Sequence, residues 1–205
     1  MAMTDTEARH DTLAAALWPS QGRLGDMNGV LRATLLAVVG SLLLYASAKV
    51  QVPFYPVPIT MQTFAVLVIG MAYGWRLGGA TVALYLAQGA LGLPVFAGTP
   101  EKGLGLAYMA GPTGGYLLGF LLAAVAVGWL AGRGWDRSVA RTLAAMTLGT
   151  AIIFVPGVLY LGALIGWDKP VLEFGLYPFL WGAVFKIGLA AAVLPLAWKA
   201  VSRRG

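Results

Sequence analysis

One charge in this chain lies where charge is costly. Lys186 falls within "YPFLWGAVFKIGLAAAVLPLAW", about nine residues into an otherwise apolar run, or about 13 Å at 1.5 Å per residue. A lysine near the centre of a membrane-length helix costs about 2.5 to 3.5 kcal/mol on insertion scales, so a functional role is its default reading and a partner is required. No Asp or Glu occurs in the long apolar segments, which leaves a carbonyl, an amide or a ligand as that partner. Gln62 and Gln88 are the side-chain amides at hand, and Tyr85 and Tyr116 are the hydroxyl candidates. An ammonium among amides and phenols suits the capture of a small polar or anionic solute in a pocket open to one face. The alternative is a lysine that snorkels to the headgroups with no other duty.

A second candidate is "YMAGPTGGYLLGF", residues 108–120, where glycines and a proline lead into an apolar helix. Backbone N–H groups at such an entrance favour anions. A nucleotide loop nevertheless fits poorly, because no G-K-[ST] ending follows and no acid lies nearby for magnesium. Gly111, Gly115 and Gly119 are spaced by four, as are Gly70, Gly74 and Gly78, Gly128 and Gly132, and Gly162 and Gly166. Small residues at that spacing let membrane helices approach closely, so most of this glycine is assigned to packing. Cysteine is absent and the single histidine, His10, lies in a polar N-terminal stretch, so neither a metal centre nor a Cys or His catalytic centre is expected inside the membrane. With only Lys186 and hydroxyls left for chemistry, an enzyme is disfavoured. A purely structural or channel-like bundle would show no saturable ligand binding.

The elements that would hold these residues follow from composition. Of the 205 residues, 59% are hydrophobic and 11% charged, a membrane composition. Six spans are expected, at about 30–50, 60–73, 75–92, 113–132, 140–167 and 177–201, with a turn at Gly74 and prolines 156 and 195 inside the last two. Residues 1–28 read as a cytoplasmic tail with one short amphipathic stretch, and 29–205 as the membrane domain. Six spans place both termini on one side. Arg9, Arg23, Arg32, Arg76, Arg133, Arg137, Arg141, Lys199, Arg203 and Arg204 share that side, ten residues against Lys49, Lys102 and Lys169 on the other. By the positive-inside rule both termini are cytoplasmic, and Trp75, Trp129, Trp167 and Trp198 fall at span ends as an aromatic belt. The outer connections, "KVQVPFYPVPITMQ" and "PVFAGTPEKGLGLAYMAGP", are long and rich in Pro and Gly, as covers over a binding site would be.

Four stretches in order, "VPFYPVPITMQTFAVLVIGMAYGWRLGG", "ALYLAQGALGLPVFAG", "GPTGGYLLGF" and "YPFLWGAVFK", resemble BioY, the biotin-specific substrate-binding (S) subunit of energy-coupling-factor (ECF) transporters. The match runs from about Ala33 to Val201 and leaves out the N-terminal tail. It implies an all-α integral membrane protein with the six-helix bundle of such subunits, biotin held near the outer face under the first outer loop, and no cofactor. It implies ligand contacts from Lys186 and Tyr116, backbone approach at Gly114 and Gly115, and a location in the plasma membrane of a prokaryote. The family reads G-D-x-x-K in its last span; here Ala183 stands at the acid position and Lys186 is kept. That departure removes a charge-assisted bond to a ureido N–H, worth about 1.5 to 3 kcal/mol. Ala33 and Ala37 form A-x-x-x-A and resemble the docking motif for a membrane-embedded coupling protein, whose partner ATPases would supply the energy. The open alternatives are a different vitamin-like solute and a transporter that works alone.

Overall fold

The computed structural model describes residues 12–18, 27–52 and 54–202. His10, most of the 1–28 tail, and Arg203 and Arg204 lie outside the described residues. The chain folds as helices α1 (Leu13–Leu17), α2 (Met27–Lys49), α3 (Gln62–Ala90), α4 (Gly105–Met109), α5 (Gly114–Ala131), α6 (Val139–Ile165), α7 (Val171–Gly175) and α8 (Tyr177–Ser202). A two-stranded antiparallel ribbon, β1 (Gln51–Val52) with β2 (Ile59–Thr60), joins α2 to α3 and pairs Gln51 with Thr60.

Five helical stretches among the described residues are long and apolar enough to cross a membrane, where the sequence predicts six spans. The difference lies in α3, which contains the second and third expected spans as one element interrupted at Gly74 (φ 78°, ψ 171°). Such a φ is open to glycine without a side-chain clash, and it turns the chain sharply. A Cβ on Gly78 would lie 3.0 Å from Gly70 Cα, whereas eight residues along a straight helix span about 12 Å. The arms, residues 62–73 and 75–90, therefore fold back on each other.

Glycine sets the closeness of the bundle. A Cβ at Gly70 would meet the Ala124 carbonyl at 2.7 Å, one at Gly119 would meet Ile153 Cα at 2.8 Å, and one at Gly115 would overlap the Pro156 carbonyl. These contacts seat α5 between α3 and α6, and α3 packs most extensively on α5. Helix α2 is the least buried of the long helices and presents Leu35, Val38, Val39, Leu42 and Leu43 outward. Pro156 and Pro195 are accommodated within α6 and α8.

The bundle has two distinct ends. At one, Thr12 sits against Gly74, Leu13 and Ala14 of α1 are buried, and Ala14 accepts a hydrogen bond from Arg32 Nη2 at 2.8 Å. The same end holds the 3₁₀ turn Trp135–Arg137 with its fully buried Asp136, which accepts from Trp198 Nε1 at 2.5 Å. At the other end lie the ribbon and the segment 91–113. That segment is fastened by backbone acceptors. Lys49 Nζ donates to Thr99 O at 2.9 Å and Phe96 O at 3.2 Å, Tyr108 Oη to Ala97 O at 2.7 Å, and Tyr160 Oη to Ala110 O at 2.8 Å. Burial raises the Tyr108 pKa, so its phenol remains a donor at neutral pH.

Candidate functional site

Beneath the ribbon, at the end opposite α1, is a cavity of ≈ 50 Å³. Six parts of the chain wall it: Val57, Pro58 and Thr60 from the ribbon and its connecting loop, Gln62 and Thr63 from the start of α3, Ala97 and Tyr108 from the 91–113 segment, Tyr116 and its neighbours from α5, Phe154 from α6, and Phe179, Ala183 and Lys186 from α8. The site exists only when both ends of the sequence are brought together.

Lys186 reaches into this wall. Its Nζ donates to the Thr60 carbonyl at 2.5 Å and to Thr63 Oγ1 at 3.0 Å, tying the middle of α8 to the ribbon and to the first turn of α3. The ammonium thus has polar partners inside the protein, whereas a snorkelling lysine would have its partners at the headgroups. Its third N–H direction carries no protein bond and is free for an acceptor placed in the cavity.

Gln62, the second predicted ligand residue, also lines the cavity. It is oriented from behind, since Gln62 Nε2 donates to Tyr85 Oη at 2.7 Å and Tyr85 Oη donates to the Val95 carbonyl at 2.7 Å. Tyr85 is wholly buried and does not reach the cavity surface, so it holds Gln62 in place and leaves the amide oxygen available as an acceptor. Tyr116 contributes its ring to the wall, while its hydroxyl donates to Gly175 O at 2.7 Å.

Three other predicted residues lie elsewhere. Gln88 accepts a 2.5 Å bond from Ser41 Oγ and links α3 to α2 away from the cavity. Gly114 and Gly115 are absent from the lining; a side chain at either would overlap the Met109 or Pro156 carbonyl, so their lack of Cβ serves the α4–α5 corner and the α5–α6 contact.

Much of the wall was not anticipated. Tyr116, Phe154 and Phe179 form a mutual cluster with centroids 6.1 to 6.4 Å apart, and Phe54 meets Phe179 edge-on at 6.3 Å. An aromatic side wall facing an ammonium and an amide suits a ligand with an apolar ring body and polar edges. Single phenylalanines in apolar spans carry no signal that separates a pocket from ordinary core. Thr63 could have been found by asking which hydroxyl a buried lysine meets one turn into the facing helix. Among the described residues no group of His, Asp and Glu could hold a metal ion.

The chain is similar to known proteins over most of its length. The BioY family model matches residues 18–203. A protein described as biotin transporter BioY from Thermotoga maritima is 36% identical over 163 residues, covering 80% of this chain and 94% of its own length. One of the same description from Rhizobium etli is 34% identical, covering 79% of this chain and 88% of its own. Among solved structures, the S-component for biotin from an ECF-type ABC transporter superposes with a TM-score of 0.71 over 85% of this chain and 94% of that one, at 21% identity, a likeness of fold. A multi-pass helical membrane protein matched over residues 18–203 by this family model and over about four fifths of its length by these relatives is a member of the BioY family.

Proposed function

We propose that this chain is the membrane-embedded biotin-binding subunit of an uptake system, a transport protein rather than an enzyme. The observation that carries the reading is the convergence of Lys186 and Gln62 on one aromatic-walled cavity beneath the ribbon, in a chain whose relatives are described as biotin transporters. Biotin offers a carboxylate, a ureido group with donor and acceptor edges, and an apolar bicyclic body. Lys186 supplies the charge-assisted donor, the Gln62 amide oxygen takes an N–H, and Tyr116, Phe154 and Phe179 enclose the rings. The cavity of ≈ 50 Å³ is small beside the roughly 300 to 1,000 Å³ of small-molecule sites, so binding requires its walls to move apart. Lys186 holds Thr60 and has a further donor to turn to the ligand.

In this reading the two arms of α3 are separate spans, giving six crossings with both termini cytoplasmic and the cavity at the outer face of a prokaryotic plasma membrane. The arms measure about 18 and 24 Å, less than the roughly 30 Å of hydrocarbon, so they cross where the bundle and the ribbon shield their ends. Energy would come from partners: α2 is the most exposed long helix, and Ala33 and Ala37 lie half-buried on it as a seat for a coupling protein with its ATPases. Titration calorimetry of the purified protein with biotin, desthiobiotin and thiamine tests the assignment. Saturable binding of biotin with no heat from thiamine supports it, and the converse selects another vitamin-like solute.

A further inference from the structure

The end of the bundle opposite the biotin cavity carries a second concavity, ≈ 610 Å³, between the Gly74 turn of α3 and the last turn of α5. Its walls include Trp75, Arg76, Trp129 and Arg133, together with Gly132 and Thr12. Each arginine is stacked on a tryptophan: Arg133 Cζ lies 3.1 Å from the Trp129 ring centre and Arg76 Cζ 4.9 Å from that of Trp75. Among the described residues neither arginine has an ion-pair partner, and no acidic side chain lines the cleft.

Two guanidiniums held over indoles have lost part of their rotamer freedom already, and the forked N–H groups of a guanidinium suit bidentate recognition of a phosphate. Exposed tryptophans belong at the level of the glycerol backbone and headgroups. The rule that cations collect on the cytoplasmic side explains their presence. It does not explain why these two converge on one cleft large enough for a headgroup. The geometry points to a binding site for the phosphodiester headgroup of an anionic phospholipid, with Arg76 and Arg133 as its ligands and Trp75 and Trp129 as the platform at the acyl boundary.

The test uses delipidated full-length protein in a neutral detergent, with phosphatidylglycerol and phosphatidylcholine of equal chain length offered together and bound lipid read by native mass spectrometry. Phosphatidylglycerol is expected to be retained about tenfold over phosphatidylcholine, and Arg76→Gln with Arg133→Gln is expected to abolish that preference while biotin affinity is unchanged. On the parent protein, raising salt from about 0.05 to about 0.5 M should weaken the preference, because part of the attraction is screened; this arm needs no variant to fold. Equal retention of the two lipids, or a preference that survives in the double variant, overturns the proposal. Displacement of the lipid by millimolar inorganic phosphate overturns the lipid assignment in favour of a soluble phosphate. A preference that emerges only in Asp11→Asn also overturns it, since the chain's own tail would then fill the cleft.

Discussion

Replacing Lys186 by methionine separates a ligand-binding lysine from an architectural one. The side chain spends two hydrogen bonds on Thr60 O and Thr63 Oγ1, lines the cavity and has one donor left over. A hydrogen bond from a charged group contributes about 1.5 to 3 kcal/mol, so losing the one made to ligand weakens biotin by about tenfold to a hundredfold. Stability moves little. Methionine avoids the cost of about 2.5 to 3.5 kcal/mol for a lysine at this depth, which offsets the two bonds to the ribbon and α3. Calorimetry with biotin, paired with thermal unfolding in the same detergent, reads both quantities. Ala183 lines the same wall one helical turn earlier, so Ala183→Asp places a carboxylate beside Lys186 and is expected to hold or raise affinity. Combined with Lys186→Met, that acid loses its counter-ion and destabilises the fold by about 3 to 5 kcal/mol. If Lys186→Met binds biotin as tightly as the parent, the ammonium serves only to fasten the ribbon and the site is drawn around the wrong residue.

Three further outcomes are expected. Ala33→Trp with Ala37→Trp should block co-purification with a coupling protein and energised uptake while biotin binding persists, because these residues lie on the half of α2 remote from the cavity; unchanged uptake rejects the docking assignment. A reporter fused after Gly205 should be cytoplasmic and one inserted beside exposed Lys102 extracytoplasmic, and the reverse labelling overturns the six-crossing topology. Asp136 is wholly buried, and loss of hydration there raises its pKa despite the Trp198 N–H and the nearby Arg137. The native state therefore holds this proton to higher pH than the unfolded chain, so stability falls as pH rises from the ordinary carboxylate range through the raised value. Asp136→Asn should flatten that slope in melting curves taken from about pH 4 upward, and an unchanged slope assigns it to other groups.

What the sequence determined by itself was the solvent and the chemistry. Runs of apolar residues as long as a bilayer is thick have few other homes, and a single lysine within them stands out because charge there has to be explained. Gly74 was legible as a turn and Gly70, Gly115, Gly119 and Gly128 as packing positions, since each follows from local backbone or helix-face geometry; Gly111, Gly132 and Gly166, which share the spacing, touch only their own stretch of chain. Which polar groups share a cavity was not legible. Gln62 and Gln88 are the same residue type on one element, yet one lines the cavity and the other is bonded to Ser41, a difference set by how α2 lies on α3. Tyr85 and Tyr116 likewise looked equivalent, and only the fold places the first behind Gln62 and lays the ring of the second against the cavity. The partners of Lys186 lie 126 and 123 residues away in the chain. Contacts of that separation have no periodicity to betray them; they arise when α3, α5, α6 and α8 pack against one another, and the bundle alone decides them.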